Sequence, residues 1–430
     1  MKLRPFYVLV ITQLLSLVGS RMTSIAIGIR VTLETGQAAP LLLVAFFNEL
    51  PPMLFGSAAG VLVDRWDRRR VMVLADLGQA LGSLVLLFSF VSGSFQLWHL
   101  YAVVLLQGTF SMFQGPAQDA VTAVLVPDSQ RDRANALRQM AFPLAGIIAP
   151  ALTGLLYPFV QITGIVLIDM ATFVVAVAVI ARLHITRPPP SAEGQAASGS
   201  FWRELRGGLA YLGARPALLA LILYFTIINF LLNGPLELSI PYLIRITGSE
   251  TETGLLLAAQ SVGALLGGAA VALRPALWRR VPVFLCAFLV TGVMFLFYGT
   301  SRSALPLALS MFALFFTLPL AWGLFTSLLQ LKTPPDMQGR VFSVFAQLGF
   351  IASTASFLSV GPLVDQLLEP AALRPDWAFA GLVGAQPGSG MGLVLLGAGV
   401  VILVLTVSLF LTPAVRRVEA ALPDYEVENR

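Results

Sequence analysis

Residues 60–73 read GVLVDRWDRRRVMV, from Gly60 to Val73. Within them, Asp64-Arg65-Trp66-Asp67-Arg68-Arg69-Arg70 carries six charges, in a 430-residue chain of which only 11% is charged. Long apolar runs flank the cluster on both sides. A soluble domain usually carries about 25% charged residues. At 57% hydrophobic, this chain has too little polar surface to cover a globule in water. Lipid is the expected solvent for most of its surface. The charge cluster then reads as a short loop at one membrane face, between two spans.

A helix needs about 20 mostly apolar residues to cross a bilayer. Working outward from the cluster, the qualifying runs are 5–30, 40–63, 71–92, 98–126, 134–158, 161–183, 216–245, 250–273, 282–300, 304–331, 341–368 and 391–412. Twelve spans place both termini on one side. If that side is the cytoplasm, 22 of the 27 Lys and Arg fall inside, and four (Arg30, Arg245, Arg302 and Arg374) fall outside. Arg21 alone lies within a span. This is the positive-inside asymmetry, and it accounts for the net charge of +5 without nucleic acid. Lys2 and Arg4 precede an apolar segment too long for a signal-peptide core, so it reads as a retained span. The single cysteine, Cys286, excludes an intrachain disulfide framework.

The expected organisation is a six-helix bundle over 1–187, a cytoplasmic linker over 188–215, a second six-helix bundle over 216–413 and a cytoplasmic tail over 414–430. PPPSAEGQAASGS at 188–200 has linker composition. After it, Phe201, Leu205, Leu209 and Leu212 recur at helical spacing, with Arg203, Glu204 and Arg206 off the stripe, as in an amphipathic helix lying in the inner interface. The chain beyond Pro413 is expected to be mobile. The halves also echo each other. Arg133 in VPDSQRDRANALRQ maps to Arg340 in PPDMQGRVFSVFAQ, 207 residues on. Arg69-Arg70-Val71 maps to Arg279-Arg280-Val281, 210 residues on. Such a repeat implies two parallel bundles with a substrate site between them near the midplane.

The motif Gly60-x-x-x-Asp64-Arg65-x-x-Arg68-Arg69-Arg70 resembles the signature loop of the major facilitator superfamily of secondary transporters. AGIIAPALTG at 145–154 looks like a degraded form of that superfamily's antiporter signature, with Ala149 and Thr153 in place of glycines. GVLVDRWDRRRVMVLADL, VPDSQ and GRVFS are similar to its macrolide-efflux and enterobactin-exporter branch. The resemblance implies an all-α integral membrane fold of twelve transmembrane helices in two pseudo-symmetric six-helix bundles, with both termini cytoplasmic. It also implies that Asp64 bridges toward the second bundle. Gly60, Asp64, Arg65, Arg68, Arg69, Asp119, Arg133 and Arg340 are then a cytoplasmic gating latch rather than a substrate site.

An ionisable group at mid-bilayer costs about 2.5–3.5 kcal/mol on insertion scales, so it is expected to face a cavity or a partner. Arg21, Glu49, Asp169 and Glu237 each fall roughly 12–14 Å below the outer boundary by helical rise. Glu49 and Glu237 are candidate proton sites, with Arg21 tuning Glu49. Asp169 is a further candidate, and Asp76, in the layer nearer the cytoplasm, is another. Asn229, Asn233 and Gly234-Pro235 interrupt span seven, as Gln107, Gln114, Gly115-Pro116 and Gln118 interrupt span four. Broken backbone at depth is tolerated where it lines a cavity. Asn229, Asn233, Gln107, Gln114, Phe46, Phe230 and Trp322 are therefore substrate-cavity candidates, with Phe225 and Phe47 as further aromatic ones.

No GxxxxGK[ST] loop occurs, which argues against ATP hydrolysis. His99 and His184 lie near opposite faces, and no metal or nucleophile constellation appears, so neither an enzyme nor a cofactor is expected. The leading expectation is a monomeric bacterial exporter in the cytoplasmic membrane, in contact with lipid. It moves amphipathic, drug- or macrolide-like small molecules by proton antiport with alternating access. The alternatives are a dedicated siderophore or lipid exporter and, from a different class, a non-transporting receptor or assembly factor.

Overall fold

The computed structural model describes residues 4–126, 130–182, 207, 209–273, 279–416, 418–421 and 425. Within these residues every regular element is helical. The first five helices are α1 (Arg4–Thr35), α2 (Ala39–Arg65), α3 (Arg68–Val91), α4 (Leu97–Leu125) and α5 (Arg131–Arg182). They are followed by α6 (Pro216–Glu237), α7 (Ser239–Thr247), α8 (Glu250–Ala272), α9 (Arg280–Thr300), α10 (Ala304–Leu331) and α11 (Pro335–Pro362). A π-helical turn (Leu363–Leu368) leads into α12 (Glu369–Ala372), α13 (Ala380–Val383), α14 (Ser389–Leu411), α15 (Pro413–Arg416) and α16 (Val418–Ala421).

Among the described residues, ten helical stretches are long and apolar enough to cross a membrane. The sequence count of twelve is reached only by dividing one of these and adding α4. α5 is 52 residues long and contains a break at Gln161, with φ 53° and ψ −173°, so it is two helices joined end to end. That conformation is rare for any residue but glycine. α4, at 29 residues, is also longer than a bilayer core requires. Phe88, Phe159 and Leu305 are 72%, 84% and 69% exposed, and many other large apolar side chains likewise point outward, as a lipid-solvated surface demands.

The chain forms two compact units, one of residues 1–190 with 247–258, the other of 191–246 with 259–430. In the first, α1 runs along α5, α3 packs on α4 and α5, and α2 packs on α4. The start of α8 belongs here. Gly254 lies so close to α5 that a Cβ would come within 2.7 Å of the Gly154 Cα, and Thr251 Oγ1 donates to Gly154 O at 2.8 Å. In the second unit, α9 packs on α14 and α10, and α6 packs on α11. Small residues permit the close approach of helices where lipid supplies no hydrophobic drive. Thus a Cβ on Gly399 of α14 would lie 2.7 Å from Gly292 O of α9.

One expectation about the chain's polar ends needs revision. The tail beyond Pro413 is docked rather than mobile over its described residues. Val415 and Val418 are 1% and 0% exposed. Glu419 Oε1 accepts from Val281 N at 2.7 Å, satisfying an unpaired donor in the first turn of α9, and Lys332 Nζ donates to Glu419 O at 2.5 Å. In the linker, Phe201 and Leu205 lie outside the described residues, as do Arg203, Glu204 and Arg206. Of the remaining stripe, Leu212 is buried and Leu209 exposed, while neighbouring Tyr211 donates to Lys332 O at 3.0 Å.

Candidate functional site

Among its described residues the first unit contains two buried carboxylates. Asp169, in the second helix of α5, is 1% exposed. It accepts from Ser20 Oγ at 3.2 Å, Thr23 Oγ1 at 3.1 Å and Ser83 Oγ at 3.0 Å. Ser20 and Thr23 are three residues apart on α1, so they share a face. Gly19 lets that face approach, since a Cβ there would lie 3.0 Å from Asp169 Oδ1.

Asp76, on α3, is 0% exposed. Its partners are amides: Gln114 Nε2 donates at 2.5 Å and Gln13 Nε2 at 3.4 Å. Gln13 Oε1 in turn accepts from Gln118 Nε2 at 2.7 Å and Gln114 Nε2 at 3.3 Å. Gln79 Nε2 donates to Gln114 Oε1 at 3.0 Å. The two carboxylates belong to one polar seam. Gln107 Nε2 donates to Gln79 O at 3.1 Å and to Ser83 Oγ at 3.4 Å. Asp76, Gln79 and Ser83 lie along one face of α3, so the seam covers roughly 10 Å of helix rise. A cavity bordered by Gln13, Gln118, Thr122 and Arg138 adjoins its Asp76 end.

The sequence named Asp76 and Asp169 as proton candidates but placed them in different layers. The structure joins them through Gln107 and Gln114, whose amides are committed to this seam. Gln13, Ser20, Thr23, Gln79 and Ser83 were missed. The one available signal was the spacing of Gln107, Gln114 and Gln118, which keeps them on one face of α4.

The other candidates are dispersed. The Arg21 guanidinium sits 3.9 Å from the centre of the Phe142 ring. Glu49 is half-buried on α2, while Glu237 is the exposed last residue of α6. Phe46 packs edge-on against Phe47 at 5.1 Å. Gly60, Asp64 and Arg65 end α2, Arg68 begins α3, Asp119 lies on α4 and Arg133 on α5, but their side chains fall outside the described residues. Around them, Asp67 caps α3 by accepting from Arg70 N at 3.0 Å, and Arg69 donates to Ala181 O. Arg340 is exposed near the start of α11, with Nη1 3.5 Å from Met337 Sδ.

In the second unit, Asn229 and Asn233 spend their amides on their own helix, donating to Phe225 O at 3.1 Å and Asn229 O at 2.8 Å. Phe230 lies at the break, where its carbonyl accepts from Ser356 Oγ at 2.5 Å. Phe225 is fully buried and stacked on Phe325 at 3.7 Å, so it belongs to an aromatic core and not to a pocket wall. Trp322 flanks that core, 5.6 Å from both Phe225 and Phe345. Three of the four arginines assigned to the outer side are held locally. Arg30 pairs with Glu34, and Arg245 with Glu369 at 3.2 Å. Arg302 donates to Tyr242 Oη at 2.7 Å and to Val383 O.

Comparison with known proteins supplies a context for this geometry. The model of the Major Facilitator Superfamily matches residues 9–357. Macrolide efflux protein A of Streptococcus pyogenes is 28% identical over 367 residues, covering 84% of this chain and 90% of that protein. The multidrug efflux pump Tap of Mycolicibacterium fortuitum is 24% identical over 377 residues, covering 84% and 89%. Among solved structures, the nucleoside transporter NupG superposes with a TM-score of 0.71 at 12% identity, covering 96% of this chain and 100% of that one. A bacterial homolog of the human lysosomal transporter Spinster gives 0.71 at 15% identity, covering 96% of both chains. At these identities the structures speak for the fold alone.

Proposed function

The chain belongs to the Major Facilitator Superfamily, and from that premise we propose that it exports amphipathic small molecules, macrolides among them, by proton antiport. It is a multi-pass membrane transporter, not an enzyme, and its relatives include efflux pumps. The outward direction and the class of cargo are taken from those relatives' names. The proton coupling rests on one observation: Asp76 and Asp169 are buried at membrane depth, and among the described residues their hydrogen-bond partners are neutral. A carboxylate held away from water without a cation is costly, and a proton is the smallest cation that relieves it. The driving force is the pH gradient together with the membrane potential, worth about 2.3 kcal/mol per charge per 100 mV. The two halves alternate access to the bacterial cytoplasmic membrane's two sides.

The test is a panel of macrolides, other amphipathic drugs and siderophores in a bacterial host stripped of its own pumps. Expression of the wild type is expected to raise tolerance to the amphipathic drugs, with a protonophore abolishing accumulation in inverted vesicles. Glu49→Gln and Asp64→Asn test the acidic candidate and the latch. Unchanged tolerance across the drugs, or transport indifferent to the protonophore, overturns the reading.

A further inference from the structure

We propose that Asp76 is the carboxylate whose proton uptake is coupled to transport, and that its cage of amides converts that uptake into a loosening of α1 from α4. The inference rests on the antiport reading above and assigns its site.

The two carboxylates sit in chemically different cages. A hydroxyl both donates and accepts, so the cage of Ser20, Thr23 and Ser83 adapts to a proton on Asp169 by turning one O–H, with no heavy atom displaced. An amide has a donor end and an acceptor end. Around Asp76 the donor ends of Gln13 and Gln114 face the carboxylate, and their acceptor ends are occupied. A protonated Asp76 carries an O–H that needs an acceptor. Within the amide cage one appears when an amide turns over. Turning Gln13 sets its NH2 against the NH2 groups of Gln114 and Gln118, donor against donor. The 2.7 and 3.3 Å bonds between α1 and α4 are then lost. Leu9 of α1 shares an apolar cluster with Ala117 and Val121 of α4, and these amides are the polar link between the two helices.

The charged and titratable surroundings are few. α1 presents Gln13, α4 presents Gln114 and Gln118, and α3 itself presents Gln79. From α5, Arg138 donates to Thr122 Oγ1 at 3.3 Å and borders the adjoining cavity. Asp169 lies at the far end of the seam, beyond Gln107 and Ser83. Asp119 and Arg68 have side chains outside the described residues. The cavity beside Gln13 and Gln118 is the route by which water reaches the cage. The step moves one proton: a hydronium there gives it to an Asp76 oxygen and leaves as water, and the reverse step returns it.

The experiment uses the full chain reconstituted in lipid vesicles, with infrared difference spectra recorded through a pH titration. A protonated-carboxyl band is expected in the wild type and in Asp169→Asn, and is expected to be lost in Asp76→Asn. A wild type without the band, or a band that persists in Asp76→Asn, overturns the proposal. If Asp76→Asn does not fold, Gln118→Leu takes its place. Removing that one amide is expected to keep the band and shift its midpoint pH, and an unmoved midpoint overturns the cage. Uptake of radiolabelled erythromycin driven by a pH gradient is measured alongside. Its absence from the wild type sinks the antiport reading, whichever carboxyl titrates. Its presence in the wild type, undiminished in Asp76→Asn, sinks the Asp76 assignment alone.

Discussion

Ser356 stands inside the backbone ladder of α6, where its hydroxyl accepts from Gly234 N at 2.9 Å and donates to Phe230 O at 2.5 Å. A helix would normally join that amide and that carbonyl directly. The inserted hydroxyl keeps both satisfied next to Pro235, which has no N–H to give. Ser356→Ala removes the bridge in a fully buried position. The expected result is a loss of about 1–3 kcal/mol, read as a lower thermal midpoint in detergent. An unchanged midpoint would show that α6 closes its own ladder once the serine is gone.

Arg245 and Glu369 form an ion pair whose side chains are only 18% and 10% exposed. Glu369 also accepts from Gly388 N and Met391 N, both at 3.2 Å, at the start of α14. It is therefore a counter-ion and a helix cap at once. Glu369→Ala loses both roles and is expected to cost about 3–5 kcal/mol. Glu369→Gln keeps an acceptor and is expected to cost less, with Arg245→Met recovering part of the deficit. A double-mutant cycle in thermal unfolding checks this, and strict additivity of Arg245→Met with Glu369→Gln contradicts it.

Gly254 and Gly154 allow α8 and α5 to touch backbone to backbone. Gly254→Ala places a methyl 2.9 Å from Gly154 N and forces a shift. Overpacking of this kind costs roughly 1–3 kcal/mol. Lower transport at full expression, together with a lower thermal midpoint, is the expected outcome. Wild-type values on both would mean that the helices yield freely at this crossing.

Glu419 holds the tail against the first turn of α9. Glu419→Ala is expected to cost roughly 1 kcal/mol, in the range of other lost helix caps. Protease cleavage between 412 and 425 should then become faster. If the cleavage rate stays at the wild-type level, the burial of Val415 and Val418 is sufficient to dock the tail without the cap.

The helices were legible because each needs a long apolar run, and such runs stand out even where α5 joins two spans at Gln161. The charge cluster at 64–70 likewise announced a loop between α2 and α3. The seam was only half legible. A carboxylate in an apolar run advertises itself, so Asp76 and Asp169 were singled out. A lone Gln13 or Ser20 does not, because its significance depends on which helix faces it, and α1 meets α5 across more than a hundred residues of intervening chain. The tail was misjudged for a similar reason. Val415, Val418 and Glu419 have the spacing of a docking face, but the groups that receive Glu419, Val281 N and Lys332 Nζ, lie far away in sequence.

The pairing of Arg245 with Glu369 has a consequence for biogenesis. The arginine emerges from the ribosome 124 residues before the glutamate that neutralises it. Arg30, by contrast, has Glu34 within the next turn. Four more helices, α8 to α11, are made between Arg245 and the Glu369 carboxylate. The first amides of α14, made some twenty residues later, find that carboxylate already present. A chain interrupted before Glu369 thus lacks this long-range ion pair, whereas the Arg30–Glu34 pair is complete within one turn.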